Sequence, residues 1–190
     1  MKLLRVYIAV IDRLNYGVGR VVMYGIFAMM AVLLWSTITK FSNQPSLWTL
    51  EVAQFAMIAY FFLGGPYAIQ MGAHVRMDLF YDNWSVRRKA ATDAITVFCL
   101  IVYLGVLLWG GLSSTAYSLG HFGSNPVGFF ADLATGEAST GTLERSRTIW
   151  RPYLWPIKTL MCIGIFLMLL QALSELAKDI LRLRGEEVAP

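Results

Sequence analysis

The sequence predicts an all-α membrane protein with four transmembrane helices, both termini cytoplasmic, and amphipathic helices at the interface. Four apolar runs, 17–39, 49–71, 90–117 and 153–177, each match the ~20 residues that cross a ~30 Å hydrocarbon layer. Backbone polar groups in lipid are satisfied only by helices or closed barrels, and runs of this length are helices. Basic residues alternate between the two sides. Lys2, Arg5, Arg13, Arg20, Arg76, Arg87, Arg88, Lys89, Lys178, Arg182 and Arg184 fall on one side, against Lys40, Arg145, Arg147, Arg151 and Lys158 on the other. The positive-inside rule makes the first side cytoplasmic.

Composition agrees. Hydrophobic residues make up 57% of the chain and charged residues 15%, a balance that would aggregate as a soluble domain. The net charge of +4 does not indicate nucleic acid, because the cations flank apolar runs instead of lining one face. Trp35, Trp48, Trp150 and Trp155 near outer ends and Trp84 near an inner boundary suit the headgroup level, while Trp109 is expected to pack deeper. Cys99 and Cys162 read as small apolar core residues. No small-residue cleavage site follows the first apolar run, so the first helix is expected to stay in the mature protein.

Along the chain, residues 1–16 place Leu4, Tyr7, Ile8, Ile11 and Leu14, with Val18 beyond, at helical spacing, while Lys2, Arg5, Asp12 and Arg13 are displaced from that stripe. This predicts an amphipathic helix on the inner leaflet, its cations toward anionic headgroups. Pro45 and Ser46 in the short loop between spans one and two suit a turn and a helix start, making those spans antiparallel neighbours. An interfacial segment is expected at 74–85, where Met77, Phe80, Tyr81 and Trp84 share one face and Asp78, Asp82 and Ser85 another. Arg87, Arg88 and Lys89 oppose the polarity of the third helix's start by several tenths of a kcal/mol each, which topology outweighs. The periplasmic loop 118–152 is rich in Gly, Ser, Thr and Asn yet carries Val127, Phe129, Phe130 and Leu133. It is either a hairpin or short helix resting on the outer interface or a partner, or a flexible insertion. Residues 178–190 form a cytoplasmic tail.

Ionisable groups at membrane depth are the first place to look for function. Glu51 and Lys158 sit near the outer ends of spans two and four. They are expected to pair, or Glu51 to meet a partner protein's cation, fixing packing; a transport role is the alternative. Gln54, Gln70 and Gln171 are placed to bond between helices at roughly 0.6 kcal/mol apiece. Gly64, Gly65, Gly72, Gly105, Gly110 and Gly111 mark close helix contacts, and Pro66 is expected to bend span two. His74 and His121 raise a haem reading, but they lie beyond opposite membrane surfaces and cannot clasp one iron. No metal cluster, phosphate loop or nucleophile elbow is present, so neither a cofactor nor enzyme activity is expected. Lacking an internal repeat, the chain is a poor candidate for a pump acting alone.

The run from Glu51 through Gly64, Gly65, Pro66, Tyr67 and Ala68 to Gln70, Met71, Gly72, Ala73, His74, Val75, Arg76, Met77 and Asp78 resembles the small membrane subunit of tripartite ATP-independent periplasmic (TRAP) transporters, the DctQ family. That family opens its second span with a glutamate and closes it with a Gly-x-His pattern ending in Asp. Trp155, Pro156, Ile157 and Lys158, with Gln171 and Glu175, are similar to its fourth span. The outer loop from Ser118 to Arg151 is longer than in many members. The resemblance implies partners: a large multi-span permease subunit that carries substrate and sodium sites, and a periplasmic solute-binding protein. It also implies a bracing role in a bacterial inner membrane, an organic acid as solute, and a structural cap at His74 and Asp78, with Arg76 or Arg87 facing Asp78. The residues alone leave two competitors: a membrane anchor or cytochrome-type subunit of a redox complex, and a small transporter working as a dimer.

Overall fold

The computed structural model describes residues 2–72, 86–137 and 139–183. In chain order its helices are α1 (Lys2–Val22), α2 (Gly25–Phe41), α3 (Thr49–Gln70), α4 (Val86–Ser118), α5 (Pro126–Thr135) and α6 (Trp155–Leu183). Among the described residues, four stretches are long and apolar enough to cross a membrane: Leu4–Phe41, Thr49–Gln70, Ile95–Ser118 and Trp155–Leu181. The segment expected at 74–85, with His74 and Asp78, lies outside the described residues, as does the tail beyond residue 183.

The first apolar stretch covers 38 residues, which as one helix would be about 57 Å long, nearly twice the hydrocarbon layer. It is divided at Met23 and Tyr24, not at the expected boundary after residue 16. Met23 N–H still donates to the Gly19 carbonyl at 2.9 Å, and Tyr24 N–H to the Val21 carbonyl at 3.2 Å. This tighter turn redirects the chain while keeping those backbone donors satisfied. α1 packs on α3 and α6, and α2 runs along α3. The buried face of α1 holds Ile8, Ile11, Asn15 and Gly19, while Leu4 and Leu14 are exposed. Part of the stripe predicted to rest on lipid therefore turns to protein. Gly19 permits this, because a Cβ there would collide with the Tyr67 side chain.

Contacts at both ends fix the register. The Asp12 carbonyl meets Gln70 at one end and the Ser36 and Thr49 hydroxyls meet at the other, setting α1 and α2 antiparallel to α3. Gly164 faces Phe62, and Met168 faces Gly65, so α3 and α6 run parallel. Lys158 reaches Ser114 and Ile165 lies beside Gly111, which makes α4 and α6 antiparallel. α6 is the central helix, packed against α1, α3 and α4. The core around it is Leu104, Ile165 and Ala172, with Phe62, Leu107 and Met168 packed against them.

Helices in lipid associate through close van der Waals packing instead of water exclusion, so small residues decide which faces meet. Gly65 lies against Met168, Gly111 against Cys162, and Gly164 against the Phe62 backbone. Gly105 and Gly110, expected at contacts, have no neighbour within 4 Å, because they lie on the outer side of α4. Trp109 shares that side and is 53% exposed instead of packed deeper. Cys99 is likewise exposed, whereas Cys162 is buried beside Thr115. α3 runs through the buried Pro66 without interruption.

The loop after α4 contains a short helix. Asn125 caps α5 by accepting from Gly128 N–H, Pro126 opens it, and Gly136 closes it at φ 82°. Phe129 packs this helix onto Ala116 and Leu119 of the preceding segment. The strand of loop beyond it returns across the end of α4, where Gly141 N–H donates to the Leu119 carbonyl at 2.9 Å. Only glycine suits position 120 (φ 86°), since a Cβ would stand 2.7 Å from the Gly141 Cα.

Candidate functional site

Among the described residues, a buried polar cluster joins the first helix to the last. Gln171, Ser174, Glu175 and Lys178 recur at i, i+3, i+4 and i+7 on α6 and so share one face. Asp12 and Asn15 of α1 meet that face. Asp12 Oδ1 accepts from Gln171 Nε2 at 2.9 Å and from Ser174 Oγ at 3.2 Å, while Asp12 Oδ2 lies 2.7 Å from Lys178 Nζ. Lys178 also donates to Glu175 Oε1 at 2.8 Å, and Asn15 Nδ2 to Gln171 Oε1 at 2.7 Å. From α3, Gln70 donates to the Asp12 carbonyl at 3.2 Å. Tyr7 OH donates to the Leu170 carbonyl at 3.1 Å.

Two carboxylates oppose one ammonium, and Asn15, Gln171 and Ser174 are fully enclosed. In a low dielectric such a cluster rigidifies its elements when its members are satisfied, and breaking one contact exposes the rest to a large penalty. Among the cluster's described residues, the buried oxygens left without a donor are Asn15 Oδ1 and Gln70 Oε1. An open cleft of about 560 Å³ lies beside the cluster, lined by Asp12, Arg13, Tyr16, Gln70, Met71 and Lys178.

At the opposite end Lys158 Nζ lies 2.7 Å from Glu144 Oε2 and 3.3 Å from the Ser114 carbonyl. The expected pair between Glu51 and Lys158 is not formed, because the returning outer loop supplies Lys158 with its carboxylate. Glu51 is 4% exposed, and both its carboxylate oxygens are buried without a hydrogen-bond partner. Nearby in sequence, hydroxyls of Ser36, Thr39, Ser46 and Thr49 form a chain with separations of 2.8 to 3.2 Å.

Of the other residues singled out from sequence, Gln70 and Gln171 join the cluster, but Gln54 is exposed. A Cβ at Gly64 would meet only a Val22 methyl at 4.0 Å, and one at Gly72 (φ 62°) would meet no described residue within 4 Å. Pro156 is the second residue of α6. His121 stacks on Phe129, with ring centroids 4.4 Å apart. Asn15 and Ser174 escape sequence reasoning, and Asp12 and Lys178 read only as charges of the cytoplasmic side. The signal was the polar stripe on α6, hidden where the last span was expected to give way to a tail.

A family model described as tripartite ATP-independent periplasmic transporters, DctQ component, matches residues 29–182. The chain belongs to the DctQ family. It is therefore the small membrane subunit of a TRAP transporter, an assembly that also contains a large permease and a solute-binding protein. This displaces the redox-anchor reading, and DctQ subunits are not an enzyme class. No curated protein and no solved structure matches the chain. The DctQ match takes in the α6 half of the polar cluster and leaves Asp12 and Asn15 outside it.

Proposed function

We propose that this DctQ subunit is the stationary brace of a sodium-coupled importer of an organic acid in a bacterial inner membrane. The single observation that supports a brace is the cluster linking Asp12, Gln70, Gln171 and Lys178, which ties α1, α3 and α6 into one rigid unit. An element that must not move while its partner does gains from such cross-links. The positive-inside rule sets both termini in the cytoplasm, with the basic flanks against anionic lipid. That orientation puts α5 and the returning loop in the periplasm, where exposed Phe122, Val127, Ile149 and Trp150 offer a contact for the solute-binding protein. Sodium coupling and the acidic solute rest on family analogy.

The test is reconstitution. Tagged chain should co-purify with the large permease, and vesicles holding both, supplied with the binding protein, should accumulate an organic acid under a sodium gradient. Vesicles holding this chain alone should accumulate none, and uptake by them would sink the proposal.

A further inference from the structure

We infer that the cleft beside α1 holds the phosphodiester of one membrane phospholipid, gripped by Arg13, Tyr16 and Lys178. This deepens the lipid contact of the proposed function and rests on that reading only for its membrane setting. Arg13, Tyr16 and Arg20 recur at i, i+3 and i+7, so they share one face of α1, and all three are exposed. The Arg20 guanidinium lies over the Tyr16 ring, 5.7 Å from its centroid. Neither arginine meets a carboxylate among the described residues. Both belong to the apolar stretch Leu4–Phe41, where an unpaired guanidinium is costly and is relieved by reaching a lipid phosphate.

The cleft supplies the rest of the site. Lys178 lines it and donates hydrogen bonds to Asp12 and Glu175, which leaves a third N–H for a ligand. Asp12 also lines the cleft, and it shares Lys178 with Glu175. Arg13 makes no ion pair among the described residues, and a guanidinium binds phosphate oxygens in bidentate fashion. The volume of about 560 Å³ falls in the range of small-ligand sites. Met71 and the Tyr16 ring give the cleft an apolar wall against which acyl chains can begin. A free anion would use the cations and leave that wall bare, so the mixed lining favours a lipid. A carboxylate of the permease is the competing occupant.

Native mass spectrometry of the detergent-purified complex with the permease, and of the isolated full chain, tests this with added phosphatidylglycerol. Wild type should retain one phospholipid per copy of this chain. The double variant Arg13→Gln, Arg20→Gln should retain it at least tenfold more weakly while complex yield stays unchanged, since both side chains are exposed. Inorganic phosphate in millimolar excess should not displace the lipid. Equal retention by the variant, displacement by inorganic phosphate, or a photo-crosslinker at position 13 that captures only the permease would each overturn the assignment. Because complex yield is read separately, such a failure is distinct from failure of the brace.

Discussion

Lys178 Nζ lies 2.7 Å from Asp12 Oδ2, joining residues near the two ends of the chain. Their side chains are 8% and 21% exposed, so the pair is little screened. Lys178→Met leaves Asp12 and Glu175 facing each other unpaired, which should cost about 3–5 kcal/mol. In thermal unfolding of the purified chain this is a drop on the order of 10 °C. Adding Asp12→Asn and Glu175→Gln should restore most of the loss, because the stranded charges are then gone. A triple variant no better than Lys178→Met alone would refute a charge-based link.

Gly164 marks a close approach of α6 to the α3 backbone. A Cβ there would stand 2.7 Å from the Phe62 carbonyl oxygen, a backbone atom that cannot swing aside. Gly164→Ala should destabilise the bundle by about 1–3 kcal/mol through forced separation of the helices. Gly105→Ala, with nothing within 4 Å, should leave the unfolding midpoint of the isolated chain unchanged. Equal effects of the two substitutions would show that packing at Gly164 yields.

These two glycines also show how far the sequence could be read. Apolar length announced the spanning helices, and periodicity announced α1, because both follow from the bilayer's thickness and the 3.6-residue turn. Glycines on α4 and α6 look alike in sequence, yet Gly105 points outward and Gly164 inward. Lipid is as apolar as a helix interface, so hydropathy does not separate the two sides. Lys158 illustrates the same limit for charge. Its depth was legible, but its partner Glu144 comes from a loop whose return path depends on Gly120 and Gly141.

That loop gives a third prediction. Lys158 and Glu144 are 20% and 32% exposed in their side chains, so their pair is expected to contribute about 1 kcal/mol. Losing it should raise the open population of the outer loop about fivefold, and proteolysis tracks that population when reclosing is fast. Trypsin should then cut at Arg145 or Arg147 about fivefold faster in Glu144→Gln than in wild type. An unchanged cleavage rate would mean that α5 and its contacts on Ala116 and Leu119 hold the loop without the pair.

Glu51 should behave in the opposite sense. Its carboxylate oxygens are buried with no hydrogen-bond partner, and an unsatisfied buried polar group costs about 1–3 kcal/mol. Glu51→Met should therefore stabilise the isolated chain by a similar amount, while Lys158→Met destabilises it. If the two residues are independent, the double variant's unfolding free energy should equal the sum of the single effects within about 0.5 kcal/mol. A coupling above about 1 kcal/mol would mean that Glu51 and Lys158 meet after all. Stabilisation of the free chain together with a loss of complex yield would place the carboxylate's role in assembly, where a rearrangement at the start of α3 would have to uncover it.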